Sequence, residues 1–227
     1  MINKKTTLII SAFVVLFCLI MAYVDGILMA NYFAKSVIKL VMFLGFPVLY
    51  TCLDKNLQIK SLFRFDKKGT PLAVGLGIGV YIIILGGYLL LKDVFDFSKI
   101  TDTLTNNIGV QKDNFILVSL YISFINSLLE EFFFRGFAFL TLKKVATRRF
   151  AYLFSALIFA AYHIAMMIGW FSFGVFAIVM VGLFAGGVIF NFLNEKSGTI
   201  YPSWLVHMFA NFAINTIGFM LFDIIPE

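Results

Sequence analysis

From Phe150 to Asn194 the chain runs forty-five residues without a formal charge. A membrane-crossing helix needs about 20 consecutive apolar residues, so this run has room for two, with Gly169-Trp170 as the turn between them. Other stretches repeat the pattern. Thr6–Val24 is an uncharged span, Pro71–Leu91 another, and Trp204–Phe222 a last one. Leu40–Leu53 is too short alone, so its helix must start near Tyr32 and take in Lys35 and Lys39, whose long stems are expected to snorkel toward the interface. A further span opens at Asn114 and continues to about Leu142. With 61% hydrophobic residues, the chain reads as an all-α, polytopic integral membrane protein of about seven transmembrane helices. Residues 1–113 supply the first three spans and their loops, and 114–222 form a helical core carrying the chemistry, in one integrated membrane domain.

The net charge of +6 does not indicate nucleic acid, because the bases sit in short segments between apolar runs. Asp54–Thr70 holds five Lys or Arg against two Asp, and Lys143–Arg149 holds four bases and no acid. With the N-terminus inside, twelve loop bases fall on the cytoplasmic side and three on the other. The positive-inside rule selects that orientation for a multi-pass protein of a cell membrane. Sparse proline, many Lys, Ile and Phe, and short loops suggest a bacterial source. Two lysines ahead of the first run also suit a signal peptide, but the run is long enough to span and no small-residue cleavage site follows, so a retained helix is expected. Cys18 and Cys52 have no framework spacing and receive no role. Gly75, Gly77, Gly79, Gly86 and Gly87, and the pair Gly182 and Gly186, suggest close helix packing.

Leu128–Gly136, Leu-Leu-Glu-Glu-Phe-Phe-Phe-Arg-Gly, places two carboxylates and a guanidinium inside a lipid-like run. Ionisable side chains at membrane depth are costly and usually face a partner or a water-filled cavity. On an α-helix Glu131 and Arg135 share a face. Glu130 lies about 140° away from Arg135. One carboxylate therefore pairs with the cation, and Glu130 is expected to be free.

The two histidines also lie in apolar helices, as Phe159-Ala-Ala-Tyr-His163 and His207-Met-Phe-Ala-Asn211. Glu130 is thirteen residues before Lys143 and His163 thirteen after Phe150, so each lies roughly 20 Å from the same end. Their equal depth on consecutive antiparallel helices permits one site. His207 comes out shallower if its helix begins at Trp204, with Gly198 and Pro202 read as loop breakers. Singly, each His or Asn could be a helix–helix hydrogen bond. Together, an acid, two imidazoles and an amide are what water-activating hydrolysis requires.

The series Glu130-Glu131-x-x-x-Arg135, Phe159-x-x-x-His163 and His207-x-x-x-Asn211 resembles the CAAX-protease and bacteriocin-processing family of membrane endopeptidases, also called the Abi family. The resemblance covers about Asn114 to Phe219. It implies a helical fold around a polar intramembrane cavity, and a membrane peptide or protein as substrate. It further implies that Glu130 and His163 activate water, that His207 and Asn211 hold the oxyanion, and that Glu131 and Arg135 support them, with Phe159 completing its motif. No cofactor is implied. A Zn2+ version stays open, since two histidines and a glutamate can ligate zinc, although Asn211 suits an oxyanion better. Readings from other classes are a non-catalytic scaffold or bacteriocin-immunity factor, and a transporter. Seven spans without repeating halves argue against a repeat-built transporter.

Overall fold

The computed structural model describes residues 2–53, 59–95, 97–105, 109–167 and 170–226. Among them seven helices are long and apolar enough to cross a membrane. They are α1 (Lys4–Gly26), α2 (Tyr32–Leu53), α3 (Thr70–Leu91), α4 (Phe115–Lys144), α5 (Arg148–Met167), α6 (Phe173–Ser197) and α7 (Tyr201–Leu221). A short helix, Ser98–Thr103, lies between α3 and α4, and no strand occurs among the described residues. The protein is an all-helical multi-pass membrane protein.

Local chemistry sets the helix ends. The Asn3 and Asn31 side chains accept from the backbone N–H of Thr6 and Ala34, each satisfying one orphan donor of a first turn. Gly198 ends α6 at φ +70°, and its N–H returns to the Asn194 carbonyl, a conformation glycine adopts without steric cost. Gly169, half of the expected turn, lies outside the described residues, while Trp170 sits in a turn whose N–H bonds Met167.

Two sequence expectations are corrected at the last helix. Pro202 does not break it but lies in its first turn, where the missing N–H has no helical partner to lose. α7 therefore starts at Tyr201, not Trp204. Its approach is also deep: Thr199 and Ile200 are fully buried, and the Ile200 N–H bonds the Leu62 carbonyl in the short turn Lys60–Phe63. The helix thus begins inside the fold, which carries His207 down to the level of Glu130.

The core centres on α4. Phe132, Phe133, Phe134, Phe137 and Phe139 are buried against Ile10, Val14 and Phe17 of α1 and Phe43 of α2. Phe43 and Phe133 stack with centroids 3.9 Å apart. The glycine stripes are mostly not packing devices. Only Gly77 in α3 meets a close neighbour, the Phe209 ring of α7, and in α6 it is Gly187, against the Ala156 backbone, rather than Gly182 or Gly186.

The loop ends group by contact. The Asn3 N–H and the Thr7 hydroxyl bond the Val145 carbonyl, and Glu195 accepts from Lys143, Arg148 and Tyr152. The N-terminus, the α4–α5 turn and the end of α6 therefore share one face of the bundle. At the opposite end Lys112 donates to the Asp223 carbonyl.

Candidate active site

Among the described residues of the membrane-spanning helices, three stretches widen to π geometry: Val41–Gly45 in α2, and Tyr121–Asn126 and Glu131–Thr141 in α4. Such i→i+5 segments often mark functional sites. Lys39, Asn126, Glu130 and Glu131 all sit within two residues of one of them or inside it.

Glu130, His163 and His207 come together. Glu130 Oε2 lies 3.9 Å from His163 Nε2 and 3.8 Å from His207 Nε2, and all three residues are buried. Each imidazole is held through its other nitrogen. His163 Nδ1 bonds the Phe159 carbonyl at 2.8 Å. A carbonyl only accepts, so Nδ1 carries the proton and the neutral ring presents a lone pair at Nε2. His207 Nδ1 bonds Glu131 Oε1 at 2.9 Å, which leaves its Nε2 turned to Glu130. The site therefore gathers a carboxylate oxygen and two imidazole nitrogens around one small volume.

Glu130 is not the unpaired carboxylate that α-helical geometry leaves over. Lys39 Nζ, from α2, donates to its Oε1 at 2.5 Å and to Asn126 Oδ1 at 2.7 Å. Asn126 Nδ2 donates to the same Oε1 at 3.0 Å. Nor does Lys39 snorkel: it is buried, 5.0 Å from the Tyr162 ring centroid and 5.6 Å from that of Phe43. Lys35 pairs with Asp25, at the end of α1, at 3.0 Å. A membrane-buried ammonium needs an anion, and for Lys39 the fourth helix supplies one.

Glu131 is fully buried and three groups converge on it. Beside His207 it accepts from the Ser203 hydroxyl, which in turn accepts from Asn194 Nδ2 at 2.6 Å. Arg135 is the third, with Nε 3.6 Å from Oε2. That is an ion pair but too long for a hydrogen bond; the widened turn no longer stacks i+4 directly on i. The Arg135 guanidinium finds no hydrogen-bond partner among the described residues. It lies instead between the Phe159 and Phe190 rings, at 3.9 and 5.1 Å from their centroids, where ring quadrupoles offset part of the lost hydration. Phe159 thus serves two neighbours, since its ring also meets the His163 imidazole edge-to-face at 4.7 Å.

Asn211 does not touch the acid. Its Nδ2 donates to the Ile122 carbonyl at 3.1 Å, part of a polar seam between α4 and α7. Along that seam Trp204 Nε1 donates to Ser127, and Asn215 donates to Ser119 and Ser123. The seam was readable as Ser119, Ser123 and Ser127 at spacing four facing His207, Asn211 and Asn215 at spacing four. Ser203 and Asn194 had no such signal.

Residues 112–213 match the family model of the Rce1-like type II CAAX prenyl endopeptidases. This part of the chain belongs to that family. The Rce1-like region contains Glu130, Glu131, Arg135, Phe159, His163, His207 and Asn211, whereas Lys39 lies outside it. No curated protein and no solved structure matches the chain.

Proposed function

We propose that this protein is an intramembrane endopeptidase that hydrolyses a peptide bond in a membrane-associated peptide or protein. The observation that carries the reading is the approach of Glu130 Oε2 to both imidazole Nε2 atoms within 3.9 Å. In this reading a water donates one proton toward Glu130 Oε2 and the other toward His163 Nε2. Glu130 takes the first as water attacks the scissile carbonyl, then passes it to the leaving amine. The Asn211 N–H not committed to Ile122 is the oxyanion donor. His207 can donate at Nε2 only as the imidazolium, for which Glu131 is the counter-ion.

Glu130 Oε1 already has an ammonium as its counter-charge, which supports the glutamate route over zinc. The N-terminus is cytoplasmic in this reading, with the shared face of the N-terminus and the α4–α5 turn carrying most of the loop bases.

The test uses purified protein in detergent with fluorogenic peptides that end in a prenylated Cys-aliphatic-aliphatic-X sequence, and mass spectrometry of the products. Cleavage by the wild type, lost in Glu130→Gln, is the expected result. Equal cleavage by both proteins would remove Glu130 from the mechanism, and no cleavage of prenylated or unprenylated peptides by the wild type would remove the reading.

A further inference from the structure

The buried charge of the site balances across two regions of the chain. Glu130 and Glu131 are neighbours, and each has one cation: Lys39 at 2.5 Å for the first and Arg135 at 3.6 Å for the second. Arg135 acts on Glu130 only through space, since its guanidinium is fixed between two phenyl rings and its contact at ion-pair distance is with Glu131. The other groups near Glu130 are the imidazoles of His163 and His207, the Tyr32 and Tyr162 phenols and the Cys18 thiol. The phenols and the thiol carry no positive charge, and the imidazole nitrogens stand 3.8 and 3.9 Å from the carboxylate against 2.5 Å for Lys39 Nζ. Lys39 is therefore the cation that lets Glu130 stay ionised in an apolar interior, where an unpaired charge takes up a proton instead.

Geometry adds direction. Lys39 Nζ and Asn126 Nδ2 both donate to Oε1, and Asn126 Oδ1 ties Nζ to the same clamp. Oε1 is thereby taken, and Oε2 is the oxygen turned to the imidazoles. We propose that Lys39, with Asn126, is a positioning residue that holds Glu130 as an ionised base with Oε2 toward the attacking water. The site of the Rce1-like region is on this view completed by a cation from α2, outside the matched segment. This rests on Glu130 being the base, yet it makes a claim about ionisation that can be read without turnover.

Infrared difference spectra at neutral pH provide that readout, with the Glu130 band identified as the one lost on Glu130→Gln. The wild type and Lys39→Arg should show an ionised carboxylate, and Lys39→Met a protonated carboxyl. In the peptide assay Lys39→Met should lower kcat about 10²-fold or more, the scale of a lost general base, with KM little changed. Lys39→Arg should recover part of it. Lys39→Gln, which keeps polarity without charge, replaces Lys39→Met if the latter does not fold. A carboxylate band persisting in the neutral variant overturns the proposal, as does unchanged kcat or a loss confined to KM. If the wild type cleaves nothing, the endopeptidase reading fails while the infrared result still decides the role of Lys39.

Discussion

Replacing Glu131 by Gln removes one charge and almost no volume from a residue with no exposed surface. Arg135 then remains as a buried cation without a counter-ion, without a hydrogen bond among the described residues, and with only the Phe159 and Phe190 rings beside it. Breaking a buried pair from one side costs roughly 3–5 kcal/mol. The Gln oxygen can still accept from Ser203, so we expect the lower end, about 3 kcal/mol. For a chain of this size that is a fall in melting temperature of roughly 6–12 °C. Arg135→Met leaves Glu131 with its bonds to Ser203 and His207 and should cost less. The double variant Glu131→Gln/Arg135→Met carries no unpaired charge, and neutral replacement of a whole buried pair is often tolerated. It should therefore melt above Glu131→Gln alone. Thermal unfolding of all four proteins in one detergent, by intrinsic fluorescence, closes the cycle. Strictly additive losses would refute the reasoning, because they would show that Glu131 does not act as the counter-charge of Arg135.

Glu130→Gln should also lose stability, contrary to the expectation for an unpaired carboxylate, because it strands Lys39; a melting curve identical to wild type would oppose the Lys39 contact. Asn211→Ala should lower kcat by about 10²–10³ as one oxyanion donor is lost, and Asn211→Asp at least as much, with chelators leaving wild-type activity unchanged. Full activity in Asn211→Asp with zinc bound one-to-one would favour the metal route. Gly77→Ala should destabilise by about 1–3 kcal/mol through overpacking, since its new Cβ would collide with the Phe209 ring, whereas Gly79→Ala meets nothing within 4 Å and should be neutral or stabilising. Reporter fusions at Lys60, Thr101 and Thr147 should read in, out and in, and a cytoplasmic signal from Thr101 would overturn the orientation.

Most spans were legible because their apolar runs are bounded by charge, the fifth and sixth because one uncharged run is long enough for two helices, and the two thirteen-residue counts placed Glu130 and His163 at one level before any packing was known. What escaped the sequence depended on contacts between helices. Lys39 stands four residues from Lys35, and that spacing suits snorkelling; only the position of α4 beside α2 reveals a carboxylate closer than water. The ion pair of Glu131 with Arg135 is present as the spacing suggests, although the π turn stretches it to 3.6 Å and the short bonds of Glu131 go to Ser203 and His207. Pro202 read as a breaker because proline is compatible with both a loop and a first helical turn. The glycines misled for a related reason: spacing four shows that close approach is permitted, and only the neighbouring helix determines whether it is used.

The ammonium clamp also imposes an order on how the protein is made. Lys39 precedes Glu130 by 91 residues, so at about 5–20 residues per second the carboxylate is synthesised some 5–20 s after the ammonium. Until then α2 carries a lysine at membrane depth with no partner, at a cost of roughly 2.5–3.5 kcal/mol on insertion scales. Stalled nascent chains ending before residue 127 should leave Lys39 open to amine-reactive probes, and chains extending past α5 should protect it; protection in the shorter chains would exclude this sequence of events. The Lys39 contacts with Asn126 and Glu130 can form only once the fourth helix has been made, so the charge pair is an assembly step and not a property of the second helix alone.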